Sequence, residues 1–327
     1  MATMAPKTRC YRNGVLTDQD FPVADVSEHL EDPDAVVWVD LCAPDTKDLA
    51  LVAEELSLHA LAVEDATTGR NRPKLDRYST HDFLSIYEVD LDVQSGELTT
   101  DEITAFITKS ALVTVRQSEG FDIEGLMKRW DETCDLTKYG VGALVYGLID
   151  FVVDGHFQAV ESMDEQIEGL EDLLFDGKQH DEDVQRRSFE LRKSLVLLRR
   201  VVTPMREVVN TMMRREVGLV TEELAPYYQD VYDHVLRASE WTESLRDLVT
   251  TIRETSLTIQ GNRLNVITKK VTSWAAIIAV PTAVTGFYGQ NVPYPGFGKA
   301  WGFWVSTAVI IGGSVALYTA FRRKDWL

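Results

Sequence analysis

The chain has 327 residues, enough for one large or two ordinary domains, and a formal net charge of −19. An acidic chain of this kind is a poor candidate for nucleic-acid binding, which depends on basic side chains. The charge is uneven, because residues 1–262 hold 51 of the 52 acidic residues but only 26 of the 33 basic ones, a net charge of −25. This acidity either keeps that part of the chain in solution or attracts cations.

The N-terminal part, residues 1–125, is predicted to be a small mixed α/β domain. Residues 35–41, AVVWVDL, form an apolar run typical of a buried strand. Asp45 then opens a stretch whose apolar residues recur at helical spacing. The β-branched stretches 83–92 and 102–116 are predicted to form further strands, the second stretch with a turn inside it.

Residues 126–225 have a helical pattern, first rich in acids and then rich in arginine. Two antiparallel helices of opposite charge would fit this region, and solvated charged faces alone would also explain it. After Pro226 the next proline is Pro281, which leaves room for one very long helix ending at Tyr288. That helix would be about 90 Å long at about 1.5 Å per residue. Such a length predicts a stalk, residues 226–270, that leads from a soluble body into a membrane.

Two uncharged stretches near the C-terminus, 271–288 and 301–321, approach the roughly 20 residues that a helix needs to cross a bilayer. A pair of buried core helices is the alternative. Basic residues precede the first stretch and follow the second in the tail 322–327. Because basic flanks stay in the cytoplasm, the loop 289–300 is predicted to lie outside and both termini inside.

One face of the first predicted span consists of small or polar residues, here called the stripe. Spacings of three and four alternate along it, which keeps its members on one face of a helix. The members are Asn265, Thr268, Thr272, Ala275, Ala279, Thr282, Gly286 and Gly289. Small residues let two helices pack closely, whereas hydroxyl and amide groups suit the wall of a water-filled pore. A pore would need a closed ring of identical chains, since one helix cannot enclose it.

The stripe leads to Tyr288-Gly289-Gln290-Asn291. With this ending the sequence resembles the CorA family of divalent-cation channels, whose hallmark is Tyr-Gly-Met-Asn at the outer end of the first of two C-terminal spans. Nearly the whole chain takes part in the resemblance. The similar segments are VWVDL (37–41), HALAVEDA (59–66), RPKLDRY (72–78), LVTVR (112–116), LVYGLIDFVVD (144–154), YYQDVYDH (227–234) and RRKDWL (322–327).

The resemblance implies an α+β membrane protein that forms a homopentameric ring. Each subunit would have an N-terminal cytoplasmic α/β domain, a long stalk helix and two C-terminal transmembrane helices, the first lining the pore. The implied function is a channel for Mg²⁺, with Co²⁺ or Ni²⁺ as further ions, in the inner or plasma membrane. The implied partners are lipid, hydrated divalent cations and other copies of the chain, and no nucleic acid.

The resemblance also assigns residues. The filter would be Tyr288, Gly289, Gln290 and Asn291, with Asn291 meeting a hydrated cation, because Mg²⁺ gives up its water reluctantly. The implied pore-lining residues are Asn265, Thr268, Val271, Thr272, Ala279, Thr282 and Gly286. The implied ligands of regulatory Mg²⁺ at subunit interfaces are Asp230, Asp233, Asp90, Asp92 and Glu254. Bound Mg²⁺ would neutralise these carboxylates and hold the ring closed, and its loss would let them repel one another.

Two departures from the family pattern bear on the transported ion. Gln290 replaces the methionine of the motif, and the outer loop has Lys299 but no acid. A zinc transporter of the same superfamily, with or without proton coupling, is therefore an alternative, and a membrane scaffold that does not transport is another. Neither span contains Cys or His, which argues against tight Zn²⁺ ligation but not against passage of a hydrated ion. An enzyme is not expected, because the sequence has no P-loop, dinucleotide-binding turn or nucleophile elbow.

Overall fold

A computed structural model of the protein describes residues 5–69, 71–176, 181–214, 218–290 and 292–327. Its contacts divide the chain into two compact units, Met1–Ile252 and Arg253–Leu327. The first unit contains the β-sheet and most of the helices. The finer domain boundaries at residues 125 and 225 stay predictions.

The first unit is built on a seven-stranded sheet formed by the described residues. Its strands are β1 Lys7–Arg12, β2 Val15–Gln19, β3 Ala35–Cys42, β4 Lys74–Arg77, β5 Asp82–Asp92, β6 Glu97–Ile107 and β7 Ala111–Arg116. Their order is β2-β1-β3-β7-β6-β5-β4. Only β3 and β7 pair in parallel, while the other neighbours are antiparallel. The strands predicted at 35–41, 83–92 and 102–116 are confirmed, with the last divided between β6 and β7.

Nine α-helices occur in the described part of the chain. They are α1 Val26–His29, α2 Thr46–Glu55, α3 Ala60–Thr68, α4 Ile123–Glu132, α5 Cys134–Thr137, α6 Val141–Phe175, α7 Asp181–Met212, α8 Ala225–Tyr288 and α9 Ala300–Arg323. Asp45 begins α2 as predicted, because its side chain accepts hydrogen bonds from the backbone N–H groups of Lys47 and Asp48. Such a cap satisfies amide donors that have no partner inside the helix.

Both faces of the sheet are covered by helices. Along β3, Val37 and Val39 point to one side, where they join a buried cluster with Leu49 of α2. Trp38 points to the other side, and its ring meets that of Trp130 of α4 at 5.0 Å between centroids. This alternation follows from the two-residue period of a strand. It explains why β3 is apolar at every position except Asp40 rather than at every second position.

Helices α6 and α7 pack against each other through apolar side chains. Val160 and Ile167 of α6 share a buried cluster with Leu195 and Leu198 of α7. No acidic residue of α6 is buried, and the arginines of α7 are exposed. This arrangement favours the interpretation that the two charged runs are solvated faces.

Three helices in the described ranges are long and apolar enough to cross a membrane: α6, α8 and α9. In α6, 61% of the most apolar window is buried inside the protein, so this helix belongs to the core of the first unit. The corresponding windows of α8 and α9 are only 6% buried. The single long helix predicted from residue 227 to Tyr288 is confirmed by α8, which has 64 residues. The exposed apolar surfaces of α8 and α9 are those expected of membrane spans.

Candidate pore and cation-binding residues

One face of α8 packs against α9 within the second unit. Ser273 is fully buried, and Ile277 and Val284 are half-buried on the same side of the helix. A Cβ atom at Gly313 of α9 would lie 3.0 Å from Cγ1 of Val280, so a larger residue at 313 would push the two helices apart. Glycine at this position therefore permits the close packing of the two predicted spans.

The stripe lies on the side of α8 that faces away from α9. All of its members are exposed, namely Asn265, Thr268, Thr272, Ala275, Ala279, Thr282, Gly286 and Gly289. At 100° per residue, Ala275 points about 160° away from Ser273, and Thr282 points about 160° away from Val280. The stripe is thus not the seam between the two spans of one chain. A seam between chains and the wall of a pore both remain open for this face.

Val271, which the family resemblance places in the pore, lies beside the stripe. Its side chain is exposed, as are those of Trp274 and Ile278. At 100° per residue, Trp274 and Ile278 lie on a third face of α8, and Val271 lies between that face and the stripe, about 20° from Ile278 and about 40° from Ala275. Apolar side chains of this size on a membrane helix are suited to contact with lipid. Val271 therefore borders the stripe, and its place in the pore stays a prediction.

The filter motif begins at the last residue of α8. The backbone N–H of Gly289 donates to the carbonyl oxygen of Thr285 at 2.8 Å, and that of Gln290 donates to Phe287 at 3.3 Å. The side chain of Gln290 is exposed. Asn291 lies outside the described residues.

The outer loop folds back onto this end of α8 through aromatic side chains. The hydroxyl of Tyr294 donates a hydrogen bond to the carbonyl oxygen of Tyr288, with 3.2 Å between the oxygens. The two rings meet edge to face with 4.9 Å between centroids. Phe287 and Phe297 pack against the ring of Tyr294 as well. Tyr294 therefore holds the backbone that leads directly into the predicted filter.

A glycine turn joins the loop to α9. Gly296 has φ of +95°, a backbone conformation that residues with a side chain rarely adopt. A Cβ atom at Gly302 would lie 2.5 Å from the carbonyl oxygen of Gly296, so the two backbones touch. Lys299 donates its N–H to the same carbonyl at 3.1 Å and leaves its side chain exposed beside the start of α9. The outer loop, which follows the predicted filter in the sequence, thus contains a basic side chain and no acidic one.

Asp90 and Asp92, the predicted regulatory acids on β5, have different surroundings. Asp92 caps the β5–β6 turn by accepting hydrogen bonds from the N–H of Gln94 and the hydroxyl of Ser95. These hydrogen bonds lower the pKa of Asp92. Its position is therefore explained by the turn alone. Asp90 is exposed and lines a cleft of about 670 Å³ between the β5–β6 hairpin, α4 and α6.

That cleft contains an acid that sequence reasoning missed. Glu88 stands directly opposite Asp101 in the pairing of β5 with β6. Burial, together with the charges of Asp101, Asp90 and Asp122, raises the pKa of Glu88 to about 7. The only signal in the sequence was the position of Glu88 two residues before Asp90 on the same strand face. Recognising it required knowledge of which residue lies across from it.

Asp230 and Asp233, on α8, are exposed. Asp233 accepts a hydrogen bond from the side chain of Gln229 at 3.0 Å. Asp230 lies near Asp150 of α6, whose pKa is raised first by burial and further by neighbouring acids that include Asp230. Arg129 forms an ion pair with Asp150 at 3.4 Å, so a positive charge already faces this group.

Glu254 is exposed on α8 in the second unit. Among the described residues, no three His, Cys, Asp or Glu side chains converge in a way that could hold a metal ion. The predicted regulatory acids are therefore not assembled into a metal site within one chain. Whether they meet across an interface between chains stays a prediction.

Comparison with known proteins decides the family. A family model described as "CorA-like Mg2+ transporter protein" matches residues 33–323. The chain belongs to the CorA family. The predicted family is thereby confirmed, and with it a divalent-cation transporter of the membrane.

Individual relatives of the CorA family cover most of the chain. The cobalt/magnesium transport protein CorA of Thermotoga maritima is 29% identical over 315 residues, which is 94% of this chain and 89% of the relative. The zinc transport protein ZntB of Yersinia pseudotuberculosis is 21% identical over 269 residues, 81% of this chain and 80% of the relative. The chain is thus similar to transporters named for different cations.

The fold is shared with a solved structure. The complete structure of the CorA magnesium transporter from Methanocaldococcus jannaschii superposes with a TM-score of 0.80 and 20% identity, covering 100% of both chains. An α/β domain followed by long helices is therefore the architecture of this chain too. The number of subunits and the orientation in the membrane stay predictions.

Proposed function

We propose that the chain forms a homopentameric channel that carries Mg²⁺, and also Co²⁺ or Ni²⁺, across the inner or plasma membrane. The observation that carries this proposal is the stripe on α8, which is exposed, polar or small over its whole length and turned away from α9. Five copies of this face would enclose a narrow path lined by hydroxyl and amide groups. The path would end at the segment Tyr288–Asn291, which forms the filter.

The chemistry of the path suits an ion that keeps its water. Mg²⁺ is small and loses its hydration shell reluctantly. The side chains of Asn265, Thr268, Thr272 and Thr282 can hydrogen-bond water molecules of that shell without replacing them. Asn291 would do the same at the mouth, and Gln290 would add a second amide there. No charged ligand is needed in the span, which agrees with the uncharged sequence of residues 271–288.

Regulation would depend on carboxylates that face each other between subunits. Asp230, Asp233, Asp90, Asp92 and Glu254 are the proposed ligands of regulatory Mg²⁺, and their exposure leaves them accessible to a neighbouring chain. Asp90 and Asp230 are the better candidates, because the carboxylate of Asp92 already accepts two hydrogen bonds within the β5–β6 turn. Loss of Mg²⁺ would leave like charges facing one another and loosen the ring.

The orientation follows from the distribution of basic residues. Lys269 and Lys270 precede the first span, and Arg322 and Arg323 follow the second. Both termini and the acidic first unit would therefore be cytoplasmic, with the outer loop on the opposite side.

Zinc transport is the second candidate function. One observation favours it, the similarity to a zinc transport protein, and the outer loop, with Lys299 and no acid, does not select between the two ions. Outer acids would raise the local concentration of cations. Their absence makes the choice among divalent ions depend on the filter itself.

The test is ion flux into liposomes that contain the purified full-length protein. Mg²⁺, Zn²⁺ and Co²⁺ are compared with and without a proton gradient. We expect Mg²⁺ flux that does not need the gradient and that falls at least tenfold in the Asn291→Ala variant. Asn210→Ala, which removes an exposed asparagine from α7, is the matched control and leaves flux unchanged.

Four outcomes would contradict the proposal. Flux of Zn²⁺ without Mg²⁺, or strict dependence on the proton gradient, favours the zinc transporter. Absence of flux for all three ions favours a scaffold that does not transport. Unchanged Mg²⁺ flux in Asn291→Ala removes this residue from the filter.

A further inference from the structure

A groove of about 810 Å³ lies between α7 and the edge of the sheet formed by β4, β5 and β6. Its lining comes from three places: the segment before β4, the two strands β5 and β6, and one side of α7. The residues are Asn71, Arg72, Pro73, Tyr87, Thr100, Val196, Leu197, Arg199, Arg200, Val201, Thr203 and Pro204. The volume is within the range of small-molecule sites, about 300–1,000 Å³.

The charge of this groove is opposite to that of the protein. Its lining has three arginines and no acid, although acids outnumber bases by 52 to 33 in the whole chain. Arg199 is paired with Glu243 of α8. Arg72 and Arg200 are exposed, and within the described residues neither has an ion-pair partner. Two guanidinium groups are thus available to an anion.

The segment that presents Arg72 is held in place by hydrogen bonds of the residue before it. The side-chain amide of the preceding Asn71 donates to Oε1 of Glu102 at 2.9 Å and to the carbonyl oxygen of Asp65 at 3.1 Å. The hydroxyl of Tyr87 donates to the carbonyl oxygen of Asn71. Because this backbone is already fixed, ligand binding at Arg72 would cost less conformational entropy.

The rest of the groove is largely apolar. Pro73, Val196, Val201 and Pro204 contribute carbon surface, and the side chain of Val196 is 36% exposed there. Because Pro204 has no N–H, the carbonyl oxygen of Arg200, four residues earlier in α7, cannot accept the usual helical hydrogen bond from residue 204. The groove therefore offers guanidinium donors beside apolar surface.

We propose that this groove binds a small organic phosphate, with the phosphate on Arg72 and Arg200 and the apolar part of the molecule on the valines and prolines. Guanidinium groups bind phosphate oxygens in pairs of parallel hydrogen bonds. Two neighbouring carboxylates already have partners, Glu243 with Arg199 and Glu102 with Asn71. The apolar surface favours a phosphate that carries a ring or chain over the inorganic ion. Nucleotides and lipid head groups share this chemistry.

The test is calorimetric titration of the full-length protein in detergent, without added metal ions. The probes are ATP, a short-chain phosphatidic acid and inorganic tripolyphosphate. We expect ATP or the phosphatidic acid to bind at least five times more tightly than tripolyphosphate, and the tighter of the two identifies the source of the phosphate. The double variant Arg72→Ala/Arg200→Ala weakens that binding at least tenfold.

Arg187→Ala is the matched control, because Arg187 is an exposed arginine of the same helix outside the groove. It leaves the affinity unchanged. The double variant Arg72→Lys/Arg200→Lys keeps both positive charges, so it is a milder change that separates loss of binding from misfolding. We expect an intermediate loss of affinity in this variant, because lysine does not bind phosphate bidentately. Equal affinity for all three probes, unchanged affinity in the alanine double variant, or binding of a poly-glutamate peptide in place of the phosphates overturns the proposal.

Discussion

The hydroxyl of Tyr294 donates to the carbonyl oxygen of Tyr288 at 3.2 Å, which ties the outer loop to the last residue of α8. This carbonyl precedes Gly289 and Gln290, two residues of the predicted filter. The edge-to-face contact of the two rings adds to the hydrogen bond. A residue six positions along the chain therefore orients the backbone at the mouth of the proposed pore.

Replacement of Tyr294 by Phe removes the hydroxyl and keeps the ring. We expect Mg²⁺ flux to fall about three- to tenfold, since one lost hydrogen bond is worth about 0.5–1.5 kcal/mol. The discrimination between Mg²⁺ and Co²⁺ should weaken as well, because the filter backbone is less well held. Liposome flux with each ion measures both effects.

Tyr318→Phe in α9 is the control for loss of a tyrosine hydroxyl elsewhere in the spans, and it should leave flux and ion preference unchanged. Should Tyr294→Phe transport both ions as the parent protein does, the hydrogen bond to Tyr288 has no role in positioning the filter.

Thr272 and Thr285 offer a matched test of the stripe. Both are exposed threonines of α8, but they point to sides of the helix about 140° apart at 100° per residue. Thr272→Leu should reduce Mg²⁺ flux at least tenfold, because a bulky apolar side chain narrows the path and excludes water from it. Thr285→Leu, on the side of Trp274 and Ile278, should change flux less than twofold.

The oligomeric state of the Thr272→Leu protein separates the two interpretations of the stripe. An intact oligomer with low flux supports the pore wall. A protein that dissociates in light scattering, while Thr285→Leu stays assembled, supports a helix–helix seam between chains.

The sequence predicted the long elements well but did not show which side chains meet, for a physical reason. Helix α8 could be inferred because proline and glycine are nearly absent between residues 226 and 281, which is a local property. The direction of the stripe relative to α9 depends on the contact of Val280 with Gly313, two residues in different helices. Glu88 was missed for the same reason, since its neighbour Asp101 comes from another strand. Spacing along one chain does not reveal which groups meet.

The parallel strands β3 and β7 are joined by a buried ion pair. Arg116 donates to both carboxylate oxygens of Asp40, and Nη2 lies 2.9 Å from Oδ2. The two side chains are 6% and 2% exposed. Arg116→Met leaves the carboxylate of Asp40 with only the hydroxyl of Thr114 as a side-chain donor, so we expect a loss of about 3–5 kcal/mol in stability.

Thermal unfolding of the detergent-solubilised protein measures that loss. The double variant Asp40→Leu/Arg116→Met should recover much of it, since it leaves no unpaired charge inside the protein. A double variant no more stable than Arg116→Met would show that packing, rather than the unpaired carboxylate, sets the cost.

Glu88 should make the stability of the first unit depend on pH near neutrality. Its pKa is raised from 4.5 to about 7, so the folded protein binds more protons than the unfolded chain between those values. The contribution of Glu88 to stability is therefore present at pH 4.5 and is lost as the pH rises to 7. The charged groups that face it are Asp90, Asp101, Asp122 and Arg116.

Glu88→Gln removes this titration while keeping the size of the side chain. We expect equal melting temperatures for the variant and the parent at pH 5, and a higher one for the variant, by a few degrees, at pH 8. His156, which is buried and has its pKa lowered to about 4, acts in the opposite direction as the pH falls from 6.5. Both proteins retain it, so the difference between them reports Glu88 alone. A variant that is less stable than the parent at pH 8 would mean that the Glu88 carboxylate is stabilised in its cleft, contrary to the raised pKa.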